Sequence, residues 1–167
     1  VFFPAGYNAY HCDAERKGYS GVATYSRHEP ERVESGIGWP DVEAEGRWLR
    51  VDLGRLSIIS LNLPTGTSRE ERQIFEYDNM EQLNPVLTAF ASDGRDYVIC
   101  GDWNIAHRQI DLRNWRANQK NSGFLPDERQ WMDWVFDEAN WVDIFRTIEP
   151  GEDQYTWWSN RGQAWAK

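Results

Sequence analysis

Asp102 and Asn104 stand on either side of Trp103, just beyond the apolar run Tyr97-Val98-Ile99-Cys100. The run is short and rich in strand-forming residues, and Gly101 stops it. In a strand that continues through Asn104, the two polar side chains point the same way. A carboxylate and an amide then share the tip of a buried strand. The carboxylate accepts a proton or draws in a cation, and the amide supplies an NH2 donor and a carbonyl acceptor. Cys100, inside the run, is expected to be a small core residue.

The chain after this pair shows no helix or strand period for about twenty residues, a length at which loops are usually functional or disordered. It carries His107, Arg108, Gln109, Asp111, Arg113, Asn114, Arg116, Asn118, Gln119, Lys120 and Asn121. Ile105, Ile110, Leu112 and Trp115 offer anchors, so an ordered loop is expected. Its guanidinium and amide groups suit phosphate oxygens, which accept charge-assisted hydrogen bonds. Metal-assisted phosphodiester hydrolysis needs a cation, a group that orients or deprotonates water, and donors to the developing oxyanion. Asp102 and Asn104 can serve the second need.

The formal net charge of −9 argues against a wholly basic nucleic-acid binder. The charge is segregated, however. The loop's basic residues meet one acid, Asp111, while Glu70, Glu71, Glu76, Asp78 and Glu81 gather in one segment and Asp127 to Glu138 in another. The local distribution therefore outranks the total. The 167 residues suit one domain. No apolar run approaches membrane-spanning length. Cys12 and Cys100 do not make a disulfide framework, which suits a reducing compartment.

The elements that must position the pair follow from periodicity. Val1–Pro4 reads as a strand end, and Gly6, Asn8 and Gly18 mark irregular chain. Val22–Ser26 reads as a strand, with Tyr19 before it either packed on a sheet edge or offered to a ligand. Glu29 to Asp41 reads as turns and charges. Trp48–Leu53 and Leu56–Leu63 form a hairpin about Gly54-Arg55, with Arg47 a solvated charge before it. Ser68 and Glu71 form a capping box for a helix that runs to Asp93-Gly94, with a kink at Pro85. Pro126 opens a second helix, with Asp127 and Glu128 in its first turn and its tryptophans in the core. Trp141–Phe145 and Tyr155–Trp158 read as strands, and 159–162 as a turn. Helices alternate with hairpins, so an α/β layered fold around a mixed sheet is expected.

GDWNIAH, then IDL, NW, N-x-K-N-SGF-LP-x-ER, resembles the exonuclease III and abasic-site endonuclease family of the endonuclease–exonuclease–phosphatase superfamily. KGYSGVATYSR and Glu45-Gly46-Arg47 match it too. The resemblance implies a four-layer α/β sandwich of the DNase I-like type. It implies hydrolysis of DNA 5′ to abasic sites and at 3′ ends, with Mg2+ or Mn2+. It assigns Asp102 as general base and Asn104 to the reacting phosphate, with both near the metal. Tyr19, Arg47, Arg113, Asn114, Asn118 and Asn121 fall at its DNA-facing positions. His107 and Asp111 fall just behind the site, where a structural hydrogen-bonding role is expected of His107. The implied partner is double-stranded DNA, the implied protein a monomer without membrane contact, and the implied place the bacterial cytoplasm.

Three departures qualify this. Asn62, in SLNLPTG, stands where the family has a tyrosine that orients the phosphate, which predicts activity weakened on the order of tenfold or more if that bond acts at the transition state. The family's metal-binding glutamate falls upstream of Val1, and its late aspartate and Ser-Asp-His segment fall beyond Lys167. The chain thus reads as one domain truncated at both ends and inactive by itself. Two alternatives stay open: a superfamily phosphatase, and a degenerate, non-catalytic DNA-binding member, which Asn62 favours.

Overall fold

A computed structural model of the chain describes residues 3–67 and 70–159. Two sheets form. Strands β1 (Asn8–Cys12) and β2 (Val22–Ser26) pair antiparallel, and β3 (Arg32–Ser35), β4 (Trp48–Leu53), β5 (Leu56–Asn62) and β6 (Asp96–Asp102) form a second sheet in that order. Within it β5 and β6 alone are parallel. The crossover between them is α2 (Glu70–Phe90), since parallel neighbours cannot be joined by a tight turn. A short α1 (Pro40–Ala44) precedes β4. Beyond β6 come α3 (Trp115–Asn118), α4 (Pro126–Asp137) and α5 (Ile144–Ile148).

Strand alternation divides the larger sheet into two faces. Trp48, Ile59 and Leu61 face a helix layer built from Met80, Leu83 and Leu87 of α2 and Trp131, Met132 and Val135 of α4. Burying each such side chain stabilises by about 1.5–3 kcal/mol relative to exposure. Leu49 and Val51 face the other way, onto Cys12 of the smaller sheet. Thr24 Oγ1 and Ser60 Oγ, 2.8 Å apart, bridge the sheets. The described residues thus build three stacked layers: small sheet, large sheet, helices. This is the mixed α/β arrangement expected. No described helix is long and apolar enough to cross a membrane.

Several expectations need correction. β1, β3 and α1 form where irregular chain was expected; all three are short, and the two strands depend on partners across an intervening segment, β2 and β4. Phe3 lies outside any strand, while residues 1 and 2 lie outside the described residues, as do Ser68 of the capping box and residues 160–162 of the last turn. The helix runs on through Pro85, which sits on its exposed side. Trp141–Phe145 is not a strand. Asp143 accepts a hydrogen bond from Arg146 N at 2.9 Å and caps α5 instead. Tyr155–Trp158 finds no ladder partner among the described residues. Just before it, the carbonyls of Glu149, Gly151 and Gln154 all accept from the Arg146 guanidinium. Cys100 is exposed, not core. The small sheet packs against β4 and β5, so the outer face of β6, with Val98 and Cys100, is not covered by it.

Candidate functional site

The site gathers where the parallel strands end. In the β5–β6 ladder Asn62 lies opposite Asp102. Residues alternate between faces with period two, so both belong to the face opposite the helices. Gly101 is needed for this pairing. Its φ is +135°, and a Cβ there would collide with the Leu61 carbonyl oxygen. The ladder closes with Leu63 N donating to Asp102 O at 2.8 Å.

Asn104 does not continue the strand. β6 ends at Asp102, and Asn104 takes a left-handed conformation, φ +55°. Its short polar side chain tolerates that backbone better than most. The reason is an Asx turn: Asp102 Oδ1 accepts from Asn104 N at 3.1 Å. The turn folds the Asn104 amide back across the strand tips. Its Nδ2 donates to Leu63 O at 2.6 Å and lies 3.5 Å from Asn62 Oδ1. The acid and both amides meet, but through a turn and a cross-strand pair rather than along one strand.

Arg47 is not a solvated charge. It is 5% exposed, with Nη1 donating to Asn62 O (2.8 Å) and Oδ1 (3.0 Å) and Nε to Glu45 Oε2 (2.5 Å). Arg72 also donates to Glu45, at 2.8 and 3.2 Å. Burial by itself would raise the Glu45 carboxyl, but the hydrogen bonds from Arg72 and Arg47 outweigh it and hold the group below its ordinary range. Tyr19 is half-buried, with the Arg16 and Arg47 guanidinium carbons 5.4 and 5.9 Å from its ring centre. Asn62 Nδ2 lies 3.4 Å from Ser20 Oγ. One charged chain of contacts thus orients the Asn62 amide from behind.

The polar loop is ordered by its own bonds. Asn118 Nδ2 donates to Asn114 O (2.8 Å), and Asn121 Nδ2 donates to Asn118 Oδ1 (2.9 Å). Asn114, Asn118 and Asn121 therefore form a ladder along α3 and its exit. Ala106 N donates to Gly123 O at 2.8 Å, and a Cβ on Gly123 would press on the Asn104 carbonyl at 2.8 Å. The fully buried anchor is Phe124; Ile105, Ile110, Leu112 and Trp115 are only half-buried. An open cleft of about 2160 Å³ brings Asp102, Asn104, Thr65, Arg113, Asn118 and Ser122 onto one surface. Tyr19, Arg47, Asn114 and Asn121 lie outside that lining.

His107 is buried and pairs Nε2 with Asp133 Oδ1 of α4 at 2.6 Å. It supports the loop from below, as expected. Asp111 accepts from Arg146 Nε at 2.5 Å.

Two groups escaped the sequence reading. Arg146 ties Asp111 and Ile110 O to the segment after α5; only its solitary place among acids and apolar residues hinted at this. Glu76 and Glu128 are fully buried beneath the loops. Their signal was spacing: Glu76 falls in step with Met80, Leu83 and Leu87, and Glu128 with Trp131, Met132 and Val135, so each acid lies on an apolar stripe.

Among the described residues no group of three His, Cys, Asp or Glu side chains gathers for a metal ion. Asp102 is exposed at the tip, and the Asn104 amide nitrogen is engaged with Leu63 O, which leaves Asn104 Oδ1 as the second oxygen donor. One carboxylate with one carbonyl oxygen suits a Mg2+ ion that keeps waters and takes phosphate oxygens.

Residues 2–167 match the Endonuclease/Exonuclease/phosphatase family. An exodeoxyribonuclease of Bacillus subtilis is 35% identical over 162 residues, which is 96% of this chain and 64% of that protein. A DNA-(apurinic or apyrimidinic site) endonuclease of Dictyostelium discoideum is 31% identical over 95% of this chain and 44% of its own length. The solved structure of an AP endonuclease from Archaeoglobus fulgidus superposes with a TM-score of 0.83 at 27% identity, covering 95% of this chain and 60% of that one. The chain spans less than two thirds of each of these.

Proposed function

Because the chain belongs to the endonuclease/exonuclease/phosphatase family, we propose that it is the central part of a DNA-repair nuclease. The whole protein would hydrolyse phosphodiester bonds 5′ to abasic sites and at DNA 3′ ends. The observation that carries this reading is the ladder pairing of Asn62 with Asp102, with Asn104 folded across both and open to the cleft.

Asp102 receives the proton of the attacking water. Its Oδ1 is held by Asn104 N, so the carboxylate is oriented before substrate arrives. Asn62 Nδ2 offers a donor to the phosphate, its orientation fixed by Arg47 on the oxygen side of the amide. Arg47 acts by positioning, since its guanidinium is already bound to Glu45 and Asn62. Tyr19, Arg113, Asn114, Asn118 and Asn121 line the path of the DNA backbone. Mg2+ or Mn2+ held by Asp102 and Asn104, with donors outside the described residues, would neutralise phosphate charge. The protein acts as a monomer in the bacterial cytoplasm, which its two free thiols, Cys12 and Cys100, suit.

The test is nicking of a duplex with a single abasic site in the presence of Mg2+. The complete protein should cut it and the 167-residue chain should not. Efficient cutting by the short chain, or none by the complete protein, refutes this account. One observation favours a non-catalytic DNA-binding member: position 62 carries an amide instead of a phenol, and its Oδ1 is occupied by Arg47. Asn62→Tyr in the complete protein separates the two, since a damaged enzyme gains activity and a binder gains none.

A further inference from the structure

Glu76 and Glu128 are fully buried acids that the proposed chemistry does not use. The Glu76 carboxyl stands where two loops of the site meet. Its Oε2 accepts from Gly66 N at 2.7 Å, on the loop that follows Asn62. The same oxygen accepts from Ser122 Oγ at 3.0 Å, at the exit of the asparagine ladder. Gly66 N also lies 2.9 Å from Ser122 Oγ, so the three groups close on one another. Gln73 Nε2 donates to Glu76 Oε2 at 3.1 Å and to Glu128 Oε1 at 3.2 Å. One neutral amide therefore stands between two acids. Glu128 Oε2 accepts from Leu125 N at 2.8 Å and caps α4.

Glu76 Oε1 is the exception. It is buried and has no hydrogen-bond partner. A bare anionic oxygen in such a place is costly, whereas a neutral carboxyl with its proton on that atom is far less so. No cation forms a salt bridge with either acid among the described residues. The charged and titratable groups around the pair are Arg72 and Tyr77 on α2 and Asp127 with Glu128 on α4. Arg72 is bound to Glu45. The two loops present Gly66 N and Ser122 Oγ.

We propose that Glu76 is a positioning residue for the candidate nuclease site: its carboxyl, protonated on Oε1, latches the loop after β5 to the exit of the asparagine ladder. This role rests on the function proposed above, but the latch is measurable without it. Burial, with the charge of Glu128 added, pushes the Glu76 carboxyl up to about 7, in keeping with the lone oxygen. Above that range Glu76 itself is charged and the latch loosens.

Hydrogen exchange on the complete protein, without DNA, tests it. In Glu76→Ala, amides of residues 62–67 and 118–124 should lose protection by roughly tenfold or more, the loss expected when one hydrogen-bonded anchor is removed. Glu76→Gln keeps an acceptor oxygen, so it should match the wild type at pH 6 and exceed it at pH 8. Unchanged protection in Glu76→Ala overturns the latch. Loss of protection in Glu76→Gln at pH 6 overturns the neutral carboxyl. If Glu76→Ala does not fold, Ser122→Ala serves instead: 118–124 should exchange faster, and no change there overturns the latch. In parallel, Glu76→Ala should lower kcat for abasic-site nicking while Glu76→Gln retains it at pH 6. If the wild type cuts nothing, the nuclease reading fails, and the exchange result still decides the latch.

Discussion

Two clusters of acids and amides lie within a few residues of the same loops, and they meet solvent in opposite ways. At the strand tips, Asp102 and Asn104 open onto the cleft with Asn62 beside them, tied to backbone and to Arg47. Beneath the loops, Glu76 and Glu128 are buried between α2 and α4, with the half-buried Gln73 bridging them. The residue types are nearly the same, so composition does not separate a reactive group from a supporting one. What separates them is the backbone each grows from. Strand ends and an Asx turn carry side chains past the edge of the sheet. Helical stripes carry them inward. An acid on the first surface can exchange protons with substrate, and an acid on the second can only hold its neighbours.

Mutations sharpen this contrast. The largest effect belongs to the open cluster: Asp102→Ala in the complete protein should lower kcat by about 10²–10⁴. Its folding stability should fall by only about 0.5–1.5 kcal/mol, the worth of the one hydrogen bond to Asn104 N that it loses. Nicking kinetics beside denaturant melts measure both, and a variant that cuts normally would move the chemistry elsewhere. In the sealed cluster, Gln73→Met should do the reverse. It removes the donor that two buried carboxyls share, at a cost of about 1–3 kcal/mol, which the shift of the denaturation midpoint reports. A neutral result would mean that water or another donor replaces the amide.

Asn62→Tyr comes next, with a gain in nicking on the order of tenfold if a phenol hydrogen bond acts at the transition state. The new ring must displace the Arg47 contacts, so DNA affinity should be measured alongside. The smallest effect is on pH. The folded-state pKa of Glu76 lies above its unfolded value, at about 7 against 4.5. Its contribution to stability is therefore full below pH 4.5, falls as pH rises between 4.5 and 7, and is lost above. Glu45 and Asp52 are shifted the other way, so their contributions fall as pH drops. The stability difference between Glu76→Gln and wild type should grow from pH 5 to pH 8. A difference curve that is flat over that range contradicts a proton held in the fold.

The sequence made some of this legible and hid the rest for physical reasons. β4, β5 and β6 were readable because hydrophobic runs bounded by Gly54 and Gly101 leave few other solutions. α2 and α4 were readable from their stripes. Straight-strand geometry brings Asp102 and Asn104 together on paper, whereas the Asx turn and the parallel partner Asn62 assemble the group in the fold. Short strands such as Arg32–Ser35 depend on a partner across an intervening segment and carry little local pattern. WVDIF has the composition of a strand, but Asp143 is also a good helix cap, and the cap prevailed. Arg47 looked like a surface charge because nothing near it in sequence shows that Asn62 will accept from its guanidinium. Cys100 looked buried because local sequence does not say how far the opposing sheet extends.

The Gly101 backbone leaves one position at the sheet tip where no side chain fits, directly before the acid. Anyone reshaping this cleft by saturation mutagenesis should find that position blank while its neighbours tolerate variety. A mutant recovered there must have shifted β6 relative to β5, and with it Asp102 relative to Asn62. Such a survivor would serve as a ruler for how much displacement the chemistry can bear.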